Sequence, residues 1–147
     1  MTAETLAQAL EREHHEIDAG LETFATGNAG VAPLHQAISA LRRHIYLEEA
    51  MLFPPLREKG FFAPVMVMIR EHGEMWRLMD QLEAAPEPKA TDDAYTQLLA
   101  LIEAHNMKEE QILYPSADTA LDAEAAARLS AFMASGSTPS GWVCQGA

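Results

Sequence analysis

His44-Ile45-Tyr46-Leu47-Glu48-Glu49-Ala50-Met51-Leu52-Phe53-Pro54 is answered by His105-Asn106-Met107-Lys108-Glu109-Glu110-Gln111-Ile112-Leu113-Tyr114-Pro115. Each stretch is an HxxxE pair, a second glutamate, then leucine, an aromatic residue and proline. A second echo lies upstream of each: Arg12-Glu13-His14-His15-Glu16 and Arg70-Glu71-His72-Gly73-Glu74. Four histidines and two carboxylates therefore recur in the order H, HxxxE, H, HxxxE, which points to a shared physical task. Imidazole and carboxylate side chains converging inside a helical bundle are what a metal site needs.

The surrounding pattern is helical. Leu6, Leu10, His14, Ile17, Leu21 and Phe24 fall at spacings of 4, 4, 3, 4 and 3, so a helix over about Glu4 to Phe24 carries His14 in its apolar stripe. Gly27, Asn28 and Gly30 mark a turn before Pro33. A second helix carries Leu34, Ile38, Leu41, Ile45, Glu48 and Leu52 with His44 on the same face, and Pro54-Pro55 ends or kinks it. A third, about Phe61 to Glu83, is expected to bury Phe62, Val65, Ile69, His72, Met75, Trp76, Met79 and Leu82. Pro86 to Lys89 breaks the chain, and Thr91-Asp92-Asp93 offers an N-cap for a fourth helix carrying Tyr95, Leu98, Ile102, His105, Glu109 and Ile112. A short fifth helix, about Asp122 to Ala134, presents Ala125, Leu129 and Phe132, and Ser135 to Ala147 reads as irregular. The fold expected is all-α: an antiparallel up-down four-helix bundle over residues 1–118, with the short helix and tail of 119–147 on or trailing it.

Neighbours three and four residues away decide which histidines face inward. His14 lies between Leu10 and Ile17, His44 between Leu41 and Glu48, His72 between Ile69 and Met75, and His105 between Ile102 and Glu109. His15, flanked by Glu11 and Asp18, and His35, flanked by Ser39 and Arg42, read as surface residues. One inward histidine is ordinarily a hydrogen-bonded core residue. Four together, with Glu48 and Glu109 in core-stripe positions where an unpaired carboxylate is expensive, call for a compensating cation. Glu49 and Glu110 point about 100° away on a regular helix and are weaker ligand candidates. Glu13 and Glu71 read as rim residues or as partners behind the ligands. Trp76 and the methionines Met51, Met66, Met68, Met75, Met79 and Met107 read as core.

Composition narrows the partners. At 147 residues the chain is one domain with enough length for a core, and no apolar run approaches the roughly 20 residues of a membrane span. A net charge of −12 argues against nucleic acid or an anionic membrane surface, both of which demand basic patches. The opening Met1 to Leu6 lacks the pattern of a secretory leader. A single cysteine, Cys144, excludes a disulfide framework and fits a reducing cytoplasm.

Mixed imidazole and carboxylate without thiolate suits iron, manganese or zinc. Six donors exceed the four of a structural zinc and suit two ions sharing carboxylates. The series H…HxxxE…H…HxxxE, with its Leu-Phe-Pro and Leu-Tyr-Pro endings, resembles the hemerythrin-like (HHE cation-binding) domain over roughly Leu6 to Pro115. The resemblance implies a four-helix bundle around two non-haem iron ions with an oxo or hydroxo bridge. His14, His44, His72 and His105 would be terminal ligands and Glu48 and Glu109 the bridging carboxylates, with zinc or manganese as substitutes. Oxygen-carrying members have a further histidine where this chain has Trp76, and HxxxxD where it has His105-x3-Glu109. The four-His, two-Glu set is closer to intracellular members, including the repair-of-iron-centres proteins, whose N-terminal cysteine-bearing segment this sequence lacks. Ferritin-like bundles use Glu-x-x-His, which these sites do not show.

The resulting expectation is a cytoplasmic di-iron protein that binds, senses or detoxifies O2, nitric oxide or peroxide. Iron storage or delivery without turnover is the alternative, and a bundle stabilised by zinc a third. Each iron would keep about one open position unless Tyr46 or Tyr114 fills it. Cys144, placed beyond the bundle, reads as an inert tail thiol or as a redox or capping group.

Overall fold

The computed structural model describes residues 3–147, so the leader reading at Met1 and Thr2 lies outside it. Every regular element among the described residues is helical. Helix α1 (Leu6–Thr26) starts at a capping box: the Thr5 hydroxyl accepts the Gln8 N–H at 3.1 Å and the Gln8 side chain accepts the Thr5 N–H at 3.0 Å. Helix α2 (Ala32–Leu47) runs through a π-helical turn at Glu48–Leu52 into a short α3 (Phe53–Leu56). A second wide turn, Arg57–Phe61, contains Gly60 at φ +100°, a conformation that favours glycine, and leads into α4 (Phe62–Ala84). Helix α5 (Asp93–Lys108) continues through a third π-helical turn, Glu109–Leu113, and a 3-10 turn, Tyr114–Ser116, into α6 (Ala117–Ala120). Asp92 sits at the N-cap of α5, but its carboxylate accepts the Lys89 N–H instead of a helix N–H. Helix α7 (Ala123–Ser135) is capped by Asp122, which accepts the Ala125 N–H at 2.8 Å.

The repeat explains the paired π turns. Proline lacks an N–H and its ring crowds the carbonyl four residues back, so a regular helix cannot run through Pro54 or Pro115. In both places the preceding aromatic donates five residues back instead, Phe53 N–H to Glu48 O and Tyr114 N–H to Glu109 O. Each widened turn therefore begins at the glutamate of an HxxxE pair, as π bulges often do at functional sites.

Two apolar clusters lie on either side of the polar residues. One gathers Leu6 and Leu10 of α1, Leu52 and Phe53, Val65 and Met68 of α4, Leu113 and Tyr114, and Leu129 of α7. The other gathers Ile17 and Leu21 of α1, Leu34 and Ile38 of α2, Met75 and Met79 of α4, and Leu98 and Ile102 of α5. His14, His44, His72 and His105 fall between the two along their own helices, so the core is interrupted by one polar layer.

Several stripe positions differ from expectation. Phe62 is exposed, because nothing covers the first turn of α4 on that side, and Met66 and Met107 are exposed as well. Ile112 is exposed because the extra residue of its π turn rotates it off the stripe that His105, Glu109 and Leu113 share. Met68, Met75, Met79 and Trp76 are core. Cys144 does not trail beyond the bundle: only 4% exposed, it belongs to the second apolar cluster.

Candidate metal centre

Each of the four inward histidines is gripped at Nδ1 by a glutamate from another helix or its extension. His44 Nδ1 lies 2.9 Å from Glu13, His72 Nδ1 2.7 Å from Glu49, His105 Nδ1 2.9 Å from Glu71 and His14 Nδ1 2.8 Å from Glu110. The four pairs close a ring, α1 to α2, α2 to α4, α4 to α5 and α5 to α1. A carboxylate on Nδ1 fixes the ring's orientation and turns Nε2 to the interior, where it can take a metal in place of its proton.

All four Nε2 atoms point to the same interior space. His72 Nε2 is 3.1 Å from Glu48 Oε1 and His105 Nε2 is 3.2 Å from Glu109 Oε2. His14 Nε2 is 3.1 Å from Glu109 Oε1, and His44 Nε2 is 3.4 Å from Glu48 Oε2. The rings pair, with centroids 4.8 Å apart for His14 and His44 and 4.9 Å for His72 and His105. Two groups of possible ligand atoms result, His14, His44, Glu48 and Glu109, and Glu48, His72, His105 and Glu109; within each the atoms all lie within 4.8 Å of one another. Glu48 and Glu109 belong to both. All six residues are buried.

The Tyr114 hydroxyl completes the centre. It donates to Glu48 Oε2 at 2.6 Å and lies 2.9 Å from His14 Nε2, 3.0 Å from His44 Nε2 and 3.2 Å from Glu109 Oε1. Tyr46 takes no part; its ring packs against Phe132 and Trp142. Burial pushes the Tyr114 hydroxyl well above the usual phenol range, and Glu109 and Glu48 push it the same way.

The charge balance is that of a site built for cations. Burial pulls the His44 ring down, but Glu48 and Glu13 outweigh it and hold the ring up at about 10. Burial likewise opposes, and Glu109 and Glu71 override, at His105, also held at about 10. His72 is raised against its burial by Glu48 and Glu49. Burial would lift Glu48, yet the His44 charge and bonds to Glu109, His44 and His72 keep it well below the usual carboxylate range. Protons on His44, His72 and His105 thus supply positive charge that the buried carboxylates need. One atom is left over. Glu109 Oε2, facing the centre, is the one buried side-chain oxygen or nitrogen among the described residues that makes no well-formed hydrogen bond, although it pairs with His105 Nε2 at 3.2 Å. A carboxylate oxygen without a well-formed hydrogen bond among four imidazole nitrogens fits a bound cation, and the donor types are those of iron, manganese or zinc.

The structure brings together all six residues singled out from the sequence and leaves His15 and His35 exposed. Sequence reasoning missed the shared role of Glu49 and Glu110. Each sits one residue after a candidate ligand, as Glu13 and Glu71 sit one residue before one, and from there reaches a histidine of a neighbouring helix. The available signal was adjacency: each of the four glutamates is next in sequence to a candidate ligand.

No helix among the described residues is long and apolar enough to cross a membrane. A family model described as the hemerythrin HHE cation binding domain matches residues 5–117, and the chain belongs to that family. No curated protein and no solved structure was found to match it.

Proposed function

We propose that this member of the hemerythrin HHE family holds two non-haem iron ions and uses them to bind, sense or detoxify O2, nitric oxide or peroxide in the cytoplasm. His14 and His44 would hold one ion and His72 and His105 the other, with Glu48 and Glu109 available to both. The observation that carries this reading is that two four-residue ligand groups share one pair of buried glutamates. Residues 1–118 are read as the bundle and 119–147 as a segment packed on it. The order in which successive helices pass from one apolar cluster to the other supports an up-down arrangement.

Iron in such a site supplies a redox-active centre for a small diatomic or peroxide ligand, and zinc or manganese could occupy the same donors. The chain's own residues do the rest. Glu13, Glu49, Glu71 and Glu110 aim the imidazoles, and the two apolar clusters keep water away from the donors. Tyr114 places a phenol beside His14 and His44 that can hold or give a proton at Oη.

The test is metal content of protein purified from unsupplemented cells, read with its ultraviolet-visible spectrum. Two irons per chain, retained through reduction and reoxidation, with a spectrum that responds to O2, peroxide or nitric oxide, are expected. Iron that passes to a mild chelator without turnover would favour storage or delivery for iron-centre repair. One zinc per chain, or none of these metals, overturns the di-iron reading.

A further inference from the structure

The four glutamates behind the histidines are not equally supported. Glu13 is backed by Arg43 at 3.3 Å, and Glu71 by Lys108. Glu49 is backed by the chain's own C-terminal tail: the Gln145 N–H donates to Glu49 Oε1 at 2.9 Å, while Glu49 Oε2 holds His72. Glu110 has only His14 among the described residues. Exposure follows the same division, since the Glu49 side chain is 1% exposed and that of Glu110 32%.

The tail is seated by several independent contacts. Trp142 meets Trp76 and Tyr46 edge to face, with centroids 5.6 and 5.1 Å apart. Arg77 donates to the Gly146 carbonyl at 3.1 Å. At Gly73 the backbones of α4 and the tail meet so closely that a Cβ there would land on the Gly146 backbone, its three nearest neighbours all being atoms of that residue. The repeat supplies the comparison. His15 stands in the first motif where Gly73 stands in the second, Asp18 stands for Trp76, and Glu110 for Glu49. His15, Asp18, Met107 and Glu110 line an open groove of about 630 Å³ between α1 and α5. The tail fills the equivalent position between α2 and α4.

We propose that residues 142–147 are a positioning element of the metal centre: through the Gln145 N–H on Glu49 they hold His72 in line and shut the α2/α4 flank, which makes the two metal positions unequal. The proposal rests on the ligand assignment above. Two substitutions in the full chain separate the backbone donor from everything else at position 145. Gln145→Pro removes the N–H that Glu49 accepts, and Gln145→Ala keeps it. Partners behind a ligating histidine typically matter by 10- to 100-fold in metal affinity.

The experiment loads wild type and both variants with iron and follows its release to a chelator, with helicity and metal-free melting recorded alongside. One of two irons leaving about 10- to 100-fold faster from Gln145→Pro, with Gln145→Ala like wild type, is the expected result. Gly73→Ala is the second variant. With the tail seated it should unseat it, opening the protected Cys144 to a thiol reagent and loosening the same iron. Equal release from Gln145→Pro and Gln145→Ala overturns the proposal. So does a Gly73→Ala protein that melts higher, as an ordinary helical glycine replacement would, with Cys144 still protected. A wild-type chain that takes up no metal overturns both this and the di-iron reading, whereas two irons with silent variants overturn this one alone.

Discussion

Phe53 and Tyr114 occupy the same place in the two halves of the repeat, and one oxygen atom separates them. Phe53 stacks on His72 with centroids 5.5 Å apart and planes 16° apart; Tyr114 stacks on His14 at 5.3 Å and 28°. The ring does the same packing in both halves. The hydroxyl does something only one half has, bonding Glu48 and lying against His14 and His44. One candidate ligand group therefore has a phenol at its edge and the other a hydrocarbon wall. The outer surface divides the same way, with a tail over the His72 flank and an open groove beside His14. A repeat thus fixes the ligands, while single departures from it decide how alike the two positions are.

The largest effect should be blind to that difference. Glu48 and Glu109 each belong to both ligand groups, so Glu48→Ala or Glu109→Ala should lose both ions. Each bound metal at a thousandfold over its Kd stabilises by about 4 kcal/mol, so losing both should lower the melting temperature of the loaded protein by roughly 20–30 °C, to the metal-free value. His14→Ala and His72→Ala should each lose one ion. Metal analysis with calorimetry checks this, and a Glu109→Ala protein that keeps one ion breaks the shared-bridge picture.

Next comes pH. His44 and His105 are repeat equivalents, one in each ligand group, both raised from 6.5 to about 10. Groups whose folded pKa is raised stabilise fully below the unfolded value and lose that contribution as pH climbs from about 6.5 to 10. Glu71, where burial is outweighed by His105 and Lys108, falls from 4.5 to about 2, so its contribution is present above about 4.5 and disappears as pH falls toward 2. The metal-free protein should melt highest between about pH 4.5 and 6.5. Metal must displace these protons, so the gap between loaded and metal-free melting should widen above about pH 6.5. Parallel melts across pH test it; a metal-free Tm that rises between pH 7 and 10 would contradict the charge balance.

Tyr114→Phe makes the halves chemically alike. Loss of a buried hydroxyl with several partners should cost the metal-free protein about 1–3 kcal/mol. It should also change the visible spectrum of the iron-loaded protein, while Tyr46→Phe leaves the spectrum alone. An unchanged spectrum would mean the phenol serves the fold and not the centre.

The smallest effect separates the flanks. Glu49→Gln and Glu110→Gln both remove the charge behind a histidine, a change worth at most about 10- to 100-fold in metal affinity. The buried Glu49 should lie at the upper end and the part-exposed Glu110, where water can replace the lost partner, at the lower. Equal losses would say that the tail adds nothing to His72.

The helices, the inward histidines and the six candidate ligands were legible in the sequence because helical periodicity and the HxxxE spacing are local. A histidine three residues from Ile17 or Leu41 faces what they face, whatever the chain does elsewhere. The second glutamates, read as weaker ligand candidates, stay outside both ligand groups, but their place behind His72 and His14 was not legible because it depends on how neighbouring helices pack. Cys144 was misplaced, and whether the tail packs on the bundle or trails it was left open, because no periodicity marks an irregular segment and its position depends on Gly73 leaving room for Gly146 73 residues further along the chain.

By itself, then, the sequence determined a helical chain with four imidazoles and two carboxylates on its buried faces, since side-chain direction on a helix follows from spacing alone. Only the tertiary structure decided which glutamate holds which histidine, that Tyr114 and not Tyr46 reaches the centre, and that one flank is covered while its counterpart stays open. Those are contacts between residues far apart in the chain, set by how helices, turns and tail pack, and no local spacing encodes them.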